Sequence, residues 1–265
     1  MNSELSLTRQ FVGAEDRPVI LFLHGFLGSG AEWEDIVSFL ADDYRCLTVD
    51  LPGHGKTAGL NREPDWGMEN TAAAVITLLN ELTIEKCFLV GYSMGGRLAL
   101  YLILRYQQYF SKVVLESASP GLKTAAERQE RIARDNLLAD KLENGDFEKF
   151  LTDWYRQPLF RDLLNHPRFR EMFKKRLKND PTGLAKSLRE MGTGCQSSLW
   201  DKLPQNKIPL LLVVGEKDAK FRSIADGMAS LCSTATVEVI KGCGHNVHFE
   251  EPGKFATEVE KFLSV

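Results

Sequence analysis

FLVGYSMGGRLAL, residues 88–100, reads as a short apolar run rich in β-formers, a serine flanked by glycines, and an amphipathic helical stretch. Residues 91–95 are G-Y-S-M-G, the G-x-S-x-G pattern, placed between a predicted strand and a predicted helix. In that context the serine sits on a strained turn that pushes its hydroxyl outward, and the glycines let neighbouring chains pass closely. Ser93 is therefore the candidate reactive residue. Arg97 follows four residues later, one helical turn away on the same side.

Outward from this stretch, apolar runs alternate with amphipathic ones. Residues 18–23, 45–51, 86–91, 112–117, 208–215 and 236–240 read as strands. Residues 31–43, 70–82, 94–106, 222–231 and 252–263 have helical spacing, the first placing Trp33, Ile36, Phe39 and Leu40 on one face. The alternation predicts an α/β fold, with a mostly parallel sheet and helices on both faces. Residues 121–203 break the rhythm. They are charged, aromatic and helical in spacing, with no clear strand. The expected organisation is a core of residues 1–120 and 204–265, with 121–203 as an all-helical cap inserted between two strands.

Catalytic groups in such a sheet belong at the carboxyl ends of strands. A serine at this elbow needs a histidine to take its proton and a carboxylate to hold the imidazole tautomer, in the chain order serine, acid, histidine. Asp218, in VVGEKDAKF, and His245, in GCGHNVHFEEP, both follow predicted strands and complete the triad. Glu216 is the nearest rival carboxylate. His248 reads as a pocket wall or a satisfied loop histidine, and His24, His54 and His166 fall outside the triad's expected elements. An oxyanion hole needs two backbone N–H donors, one after the serine and one from the loop after an earlier strand. Met94 and Phe26, the latter in HGFLG, fill those positions; His24 and Gly25 shape the loop.

The formal net charge of −3 and pI near 6.0 argue against nucleic acid or an anionic membrane as partner. No histidine or cysteine spacing fits a metal, and GHGKT at residues 53–57 lacks the upstream half of a phosphate-binding loop. The expectation is an enzyme without metal or cofactor. Five scattered cysteines with no CxxC pair fit a reducing compartment. The N-terminal MNSELSLTRQF is polar, and no run of 18 apolar residues occurs, so the expected location is the cytosol. Oligomeric state is not legible.

The set H-G-F, D-L-P-G-H-G, G-Y-S-M-G-G and G-H resembles the α/β-hydrolase superfamily along nearly the whole chain. A narrower resemblance adds the cap. PGL followed by ERQER, then DWYRQPLF, GEKDAKF and GHNVHFEEP are similar to the 2-succinyl-6-hydroxy-2,4-cyclohexadiene-1-carboxylate synthases of menaquinone and phylloquinone biosynthesis. The resemblance implies elimination of pyruvate from a tricarboxylate, with Ser93 as base. It also implies that Arg97, Arg131 in ERQER and Arg176 in KKRLKND bind carboxylates, and that Trp154 and Tyr92 line the pocket. Read without the resemblance, Arg128, Arg131 and Arg134, interleaved with Glu127 and Glu130, form a solvated helix face, and Trp154 is packing between cap and core. After D-L-P-G-H-G-x the family pattern expects a small residue, often serine; Thr57 stands there. Two other functions use the same residues: a serine hydrolase of a small acid, with Ser93 as nucleophile, and a non-catalytic receptor of this fold.

Overall fold

The computed structural model describes residues 5–57 and 65–264. Seven strands form one sheet: β1 (Arg9–Val12), β2 (Val19–Leu23), β3 (Arg45–Val49), β4 (Cys87–Tyr92), β5 (Phe110–Glu116), β6 (Leu210–Gly215) and β7 (Ala235–Ile240). Their spatial order is β1-β3-β2-β4-β5-β6-β7, and every pairing is parallel except the β1–β3 edge. The six predicted strands are present with shifted ends. The seventh, β1, carries no apolar alternation. Only Phe11 in RQFV is half-buried, stacked under Arg45 at 4.0 Å, so no sequence signal marks it.

The apolar runs are continuous because both faces of the sheet are covered. Leu21, Leu23, Leu89, Val113 and Leu212 pack against α2 (Met68–Glu81), α3 (Met94–Arg105) and α9 (Ala219–Leu231). Their neighbours Ile20, Phe22, Val90, Val114 and Val213 pack against α1 (Glu34–Leu40), α10 (Val247–Glu250) and α11 (Pro252–Ser264). One register expectation fails. Trp33, Ile36 and Leu40 are buried, but Phe39 is 56% exposed. Trp33 and Leu40 fall to one side of Ile36 around the helix and Phe39 falls to the other, at the edge of the buried stripe.

Between β5 and β6 the described residues form only helices: α4 (Ala125–Asn144), α5 (Phe147–Tyr155), α6 (Arg161–Leu164), α7 (Phe169–Arg176) and α8 (Pro181–Met191), with short 3₁₀ turns. Their starts are encoded locally. Thr124 and Glu127 form a reciprocal capping box on α4, Asp146 caps α5, and Asp180 caps α8 ahead of Pro181. Helix α8 has no boundary of its own in the sequence reading, although its Asp-Pro start is a legible signal. A third apolar cluster, including Leu142, Leu151, Tyr155, Leu163 and Leu184, closes over Leu27 from the core. The Leu199 N–H donates to the Pro120 carbonyl at 2.8 Å and draws the two ends of the excursion together.

This topology fixes where a site can form. From β2 the chain moves outward to β3, and from β4 it moves the other way to β5, so the loops leaving the adjacent strands β2 and β4 diverge. A crevice opens at their carboxyl ends. Among the described residues no helix is long and apolar enough to cross a membrane.

All five cysteines are free. Burial pushes the Cys46, Cys87 and Cys243 thiols up to about 12, Cys232 is buried, and Cys195 alone is exposed. A disulfide reagent is therefore expected to modify one thiol rapidly in the native protein and five after denaturation. Mass mapping of the first modified residue to any cysteine but Cys195 would contradict the packing described.

Candidate active site

Ser93 leaves β4 with φ +48° and ψ −104°, a conformation a non-glycine residue rarely adopts. The turn survives because the chain around it is tied on every side. Ser93 N–H donates to the Glu116 carbonyl at 2.9 Å, and Gly95 N–H to the His24 carbonyl at 3.0 Å. Gly95 is required there, since a Cβ would lie 2.2 Å from the Leu23 carbonyl oxygen. Gly95→Ala is expected to cost about 1–3 kcal/mol or more from overpacking against rigid backbone. An unchanged urea midpoint would show that the β2 loop gives way.

The three triad residues meet. His245 Nε2 lies 3.3 Å from Ser93 Oγ, and His245 Nδ1 lies 2.7 Å from Asp218 Oδ2. Asp218 also caps α9, its Oδ1 accepting from Phe221 N–H at 3.1 Å, so one carboxylate fixes both imidazole and helix. Asp218 and His245 are buried. Glu216 points elsewhere: its Oε2 accepts from Gly242 N–H at 3.0 Å, tying the β7 loop.

The Met94 and Phe26 backbone N–H groups find no acceptor among the described residues. Met94 begins α3, so its N–H also carries the positive end of that helix dipole. His24 shapes the Phe26 loop: its Nδ1–H donates to the Gly25 carbonyl at 2.7 Å and its Nε2 accepts from Leu51 N–H at 2.9 Å. Burial lowers its pKa, keeping it neutral in this role. Asp50 braces the same loop by accepting from Gly30 and Lys56 N–H.

The cavity above Ser93 has a volume of about 440 Å³, of the order of a small-molecule site. Tyr92, Trp154, Phe160 and Phe221 give it aromatic walls. The Trp154 ring packs 5.1 Å from Phe26 and 6.1 Å from Phe160, so it serves both cap packing and the cavity wall. Tyr92 presses on His245 and His248 with ring centroids at 5.6 and 4.9 Å.

Arg97, Arg131, Arg134, Arg176 and Lys220 line the cavity, against the carboxylates of Glu32 and Asp218. Arg97 is 7% exposed and donates to two neutral acceptors, Gln196 Oε1 at 2.8 Å and the Met191 carbonyl at 2.6 Å. Burial, aided by Arg131, depresses its pKa to about 10, which still leaves it charged at neutral pH. Arg131 Nε is held by both oxygens of Asp135, at 2.8 and 2.9 Å, and neither terminal nitrogen has a protein acceptor among the described residues. Arg176 differs. It is buried, donates to the Leu27 carbonyl at 2.8 Å and is ion-paired with Glu32. Burial opposes its charge, but Glu32 and Tyr155 raise its pKa.

Read from the sequence, Lys220 and the Glu32 counterion have no cavity role and Arg134 lies on a solvated helix face, yet all three line the cavity. Arg134 looks like any member of a charged helix face, and Glu32, four residues beyond HGFLG, reads as one of several acidic residues at the start of a helix. Lys220 sits two residues from Asp218 in GEKDAKF, and that proximity was the one usable signal. His248 is neither in a loop nor fully satisfied: it sits in the short helix Val247–Glu250, Glu116 accepts from its Nδ1 at 2.6 Å and its backbone N–H at 3.0 Å, its ring stacks on Trp33, and its buried Nε2 finds no hydrogen-bond partner among the described residues.

A family profile described as alpha/beta hydrolase fold matches residues 18–252. Solved structures at about one-fifth identity share the architecture, among them a hydrolase from Pseudomonas aeruginosa PA01 at 22% identity and TM-score 0.82, covering 98% of this chain and 94% of that one. The chain thus belongs to the α/β-hydrolase class. The chain is 37% identical over 255 residues to a putative 2-succinyl-6-hydroxy-2,4-cyclohexadiene-1-carboxylate synthase of Bacillus subtilis (strain 168), covering 95% of this chain and 92% of that one. A solved MenH structure from S. aureus superposes with TM-score 0.92 at 34% identity, covering 97% of both chains. Protein PHYLLO of Arabidopsis thaliana is 37% identical over 261 residues, but the chain spans only 15% of that longer protein. Within the α/β hydrolases, the chain belongs to the 2-succinyl-6-hydroxy-2,4-cyclohexadiene-1-carboxylate synthase family.

Proposed function

We propose that this chain eliminates pyruvate from 2-succinyl-5-enolpyruvyl-6-hydroxy-3-cyclohexene-1-carboxylate, with Ser93 as base. The observation that carries the reading is Arg97: a buried guanidinium one turn from Ser93, held only by neutral acceptors and lacking a carboxylate of its own. A substrate with three carboxylates supplies the missing anion, and a guanidinium binds one through two parallel hydrogen bonds.

The chemistry follows from the substrate's connectivity. The ring carbon bearing the succinyl group carries a proton that is both α to a ketone and allylic. Ser93 Oγ takes that proton as His245 Nε2 takes the hydroxyl proton, and Asp218 stabilises the resulting imidazolium. Charge develops on the succinyl carbonyl oxygen, where the Phe26 and Met94 N–H groups supply two donors. The electron pair returns through the ring double bond and expels the enolpyruvyl oxygen from the adjacent carbon. The imidazolium proton returns to the departing pyruvate enolate, so protons balance and no acyl-enzyme forms. Arg97 and the free nitrogens of Arg131 orient the carboxylates. Arg176, already matched by Glu32, contributes its position in the wall more than a free charge. Trp154 and Tyr92 bound the ring. The free thiols suit a reducing compartment such as the cytosol.

The test generates the substrate with the upstream synthase, adds this protein, and follows pyruvate and the conjugated diene. Fast pyruvate release with poor cleavage of p-nitrophenyl acetate is expected. Pyruvate at the uncatalysed rate with efficient ester cleavage would instead make the chain a hydrolase using Ser93 as nucleophile.

A further inference from the structure

Lys220 breaks a local rule. It lies in the first turn of α9, where the helix dipole is positive and a cation is disfavoured. Among the described residues its ammonium has no hydrogen-bond or ion-pair partner, only the Phe221 ring with its centroid 5.4 Å away. Asp218, the nearest carboxylate in sequence, is committed to His245 and to the Phe221 N–H. Across the cavity mouth, α4 presents Arg131 and Arg134 to the same space. Arg134 engages only the neutral Gln157 Oε1 at 3.2 Å, and Arg131 shares Asp135 through Nε alone. Burial lowers the Lys220 pKa, and Arg131 and then Arg134 act on it as like charges, with Asp218 opposing. Three cations thus line one space, and of the three only Arg131 has an ion pair among the described residues, with Asp135. An empty site gains nothing from this arrangement, and local preference is most often violated where function requires it.

We propose that Lys220 from the core, with Arg134 and the free nitrogens of Arg131 from the helical excursion, forms a second carboxylate subsite at the cavity mouth, separate from the buried Arg97. It takes a carboxylate of the substrate that Arg97 does not hold. A polyanion bridging both sides of the mouth removes their mutual repulsion and draws the excursion onto the core. The inference rests on the polycarboxylate reading of the site and extends it to Lys220 and Arg134, to which the resemblance assigns no role.

Steady-state kinetics on Lys220→Met, Lys220→Arg and Arg134→Gln test it. Lys220→Met is expected to raise KM about tenfold with a smaller change in kcat, the size of one partly exposed charge-assisted contact. Lys220→Arg should recover most of the loss, and the salt dependence of KM should weaken in Lys220→Met and Arg134→Gln. An unchanged KM overturns the proposal. So does a fall in kcat alone, which would assign Lys220 to the Asp218 loop. A second readout needs no turnover: citrate should slow fluorophosphonate labelling of Ser93 in the wild type and do so less in Lys220→Met. Equal protection in both, or none in the wild type, overturns the subsite whatever the reaction. Citrate protection without pyruvate release would uphold the subsite and refute the eliminase.

Discussion

Ser93→Ala is expected to lower single-turnover pyruvate release by about 10²–10⁴, the range of one general base, while substrate binding changes little. The hydroxyl is the only atom lost. The 3.3 Å contact to His245 disappears, whereas Arg97, the Phe26 and Met94 N–H groups and the His245–Asp218 bond remain. His245→Ala should cost about as much, and the double substitution no more than either, because base and activator act as a unit. The residual rate then measures what binding and the oxyanion donors supply alone. Pyruvate coupled to lactate dehydrogenase and the diene absorbance should fall in parallel. If Ser93→Ala keeps wild-type turnover while His245→Ala loses it, the imidazole removes the ring proton directly and the serine is a bystander.

The triad and its turn were legible because each residue is fixed by local covalent spacing. G-x-S-x-G between a strand and a helix, and acid and histidine after later strands, need no tertiary information to be read. The sheet was legible for a similar reason: both its faces are buried, so its strands are nearly uninterrupted apolar runs. What escaped depends on partners distant in sequence. The β1 strand is defined by pairing to β3, not by its own composition. The resemblance points to Arg176 from its motif alone, but its state is set by Glu32, 144 residues away. Arg97 shows the converse. Its position beside Ser93 follows from one helical turn, yet the neutrality of its partners, Gln196 and the Met191 carbonyl, could be seen only in the fold. Charge compensation is a property of the folded pocket, and it separates a cation free to bind substrate from one already matched.

That distinction carries the second large effect. Glu32→Gln is expected to lower the unfolding free energy by about 3–5 kcal/mol, although it preserves shape, because it strands a buried guanidinium without its counterion. Glu32 is ion-paired with Arg176, and His248 Nε2 stands 3.9 Å from its Oε1. His248 in turn bonds Glu116 at 2.6 Å. Burial alone would raise the Glu32 carboxyl, but Arg176, with His248 and His24, outweighs it and holds the pKa below 4.5. Burial alone would lower His248, but Glu116 and Glu32 outweigh it and lift the pKa above 6.5. The two signs differ. The depressed Glu32 stabilises the fold above its unfolded value and loses that contribution as pH falls through its folded pKa. The raised His248 stabilises below its unfolded value and loses its contribution as pH rises through its folded pKa. Both are complete between about 4.5 and 6.5, the two ordinary values, so this cluster contributes most in that window. Urea unfolding across pH should show Glu32→Gln losing most stability there, with a flatter acid limb than the wild type. Glu32→Gln combined with Arg176→Met should recover part of the loss, since the second change removes the stranded charge. An additive double mutant would mean that Glu32 and Arg176 stabilise the chain independently and that the ion pair is not what holds this wall of the cavity.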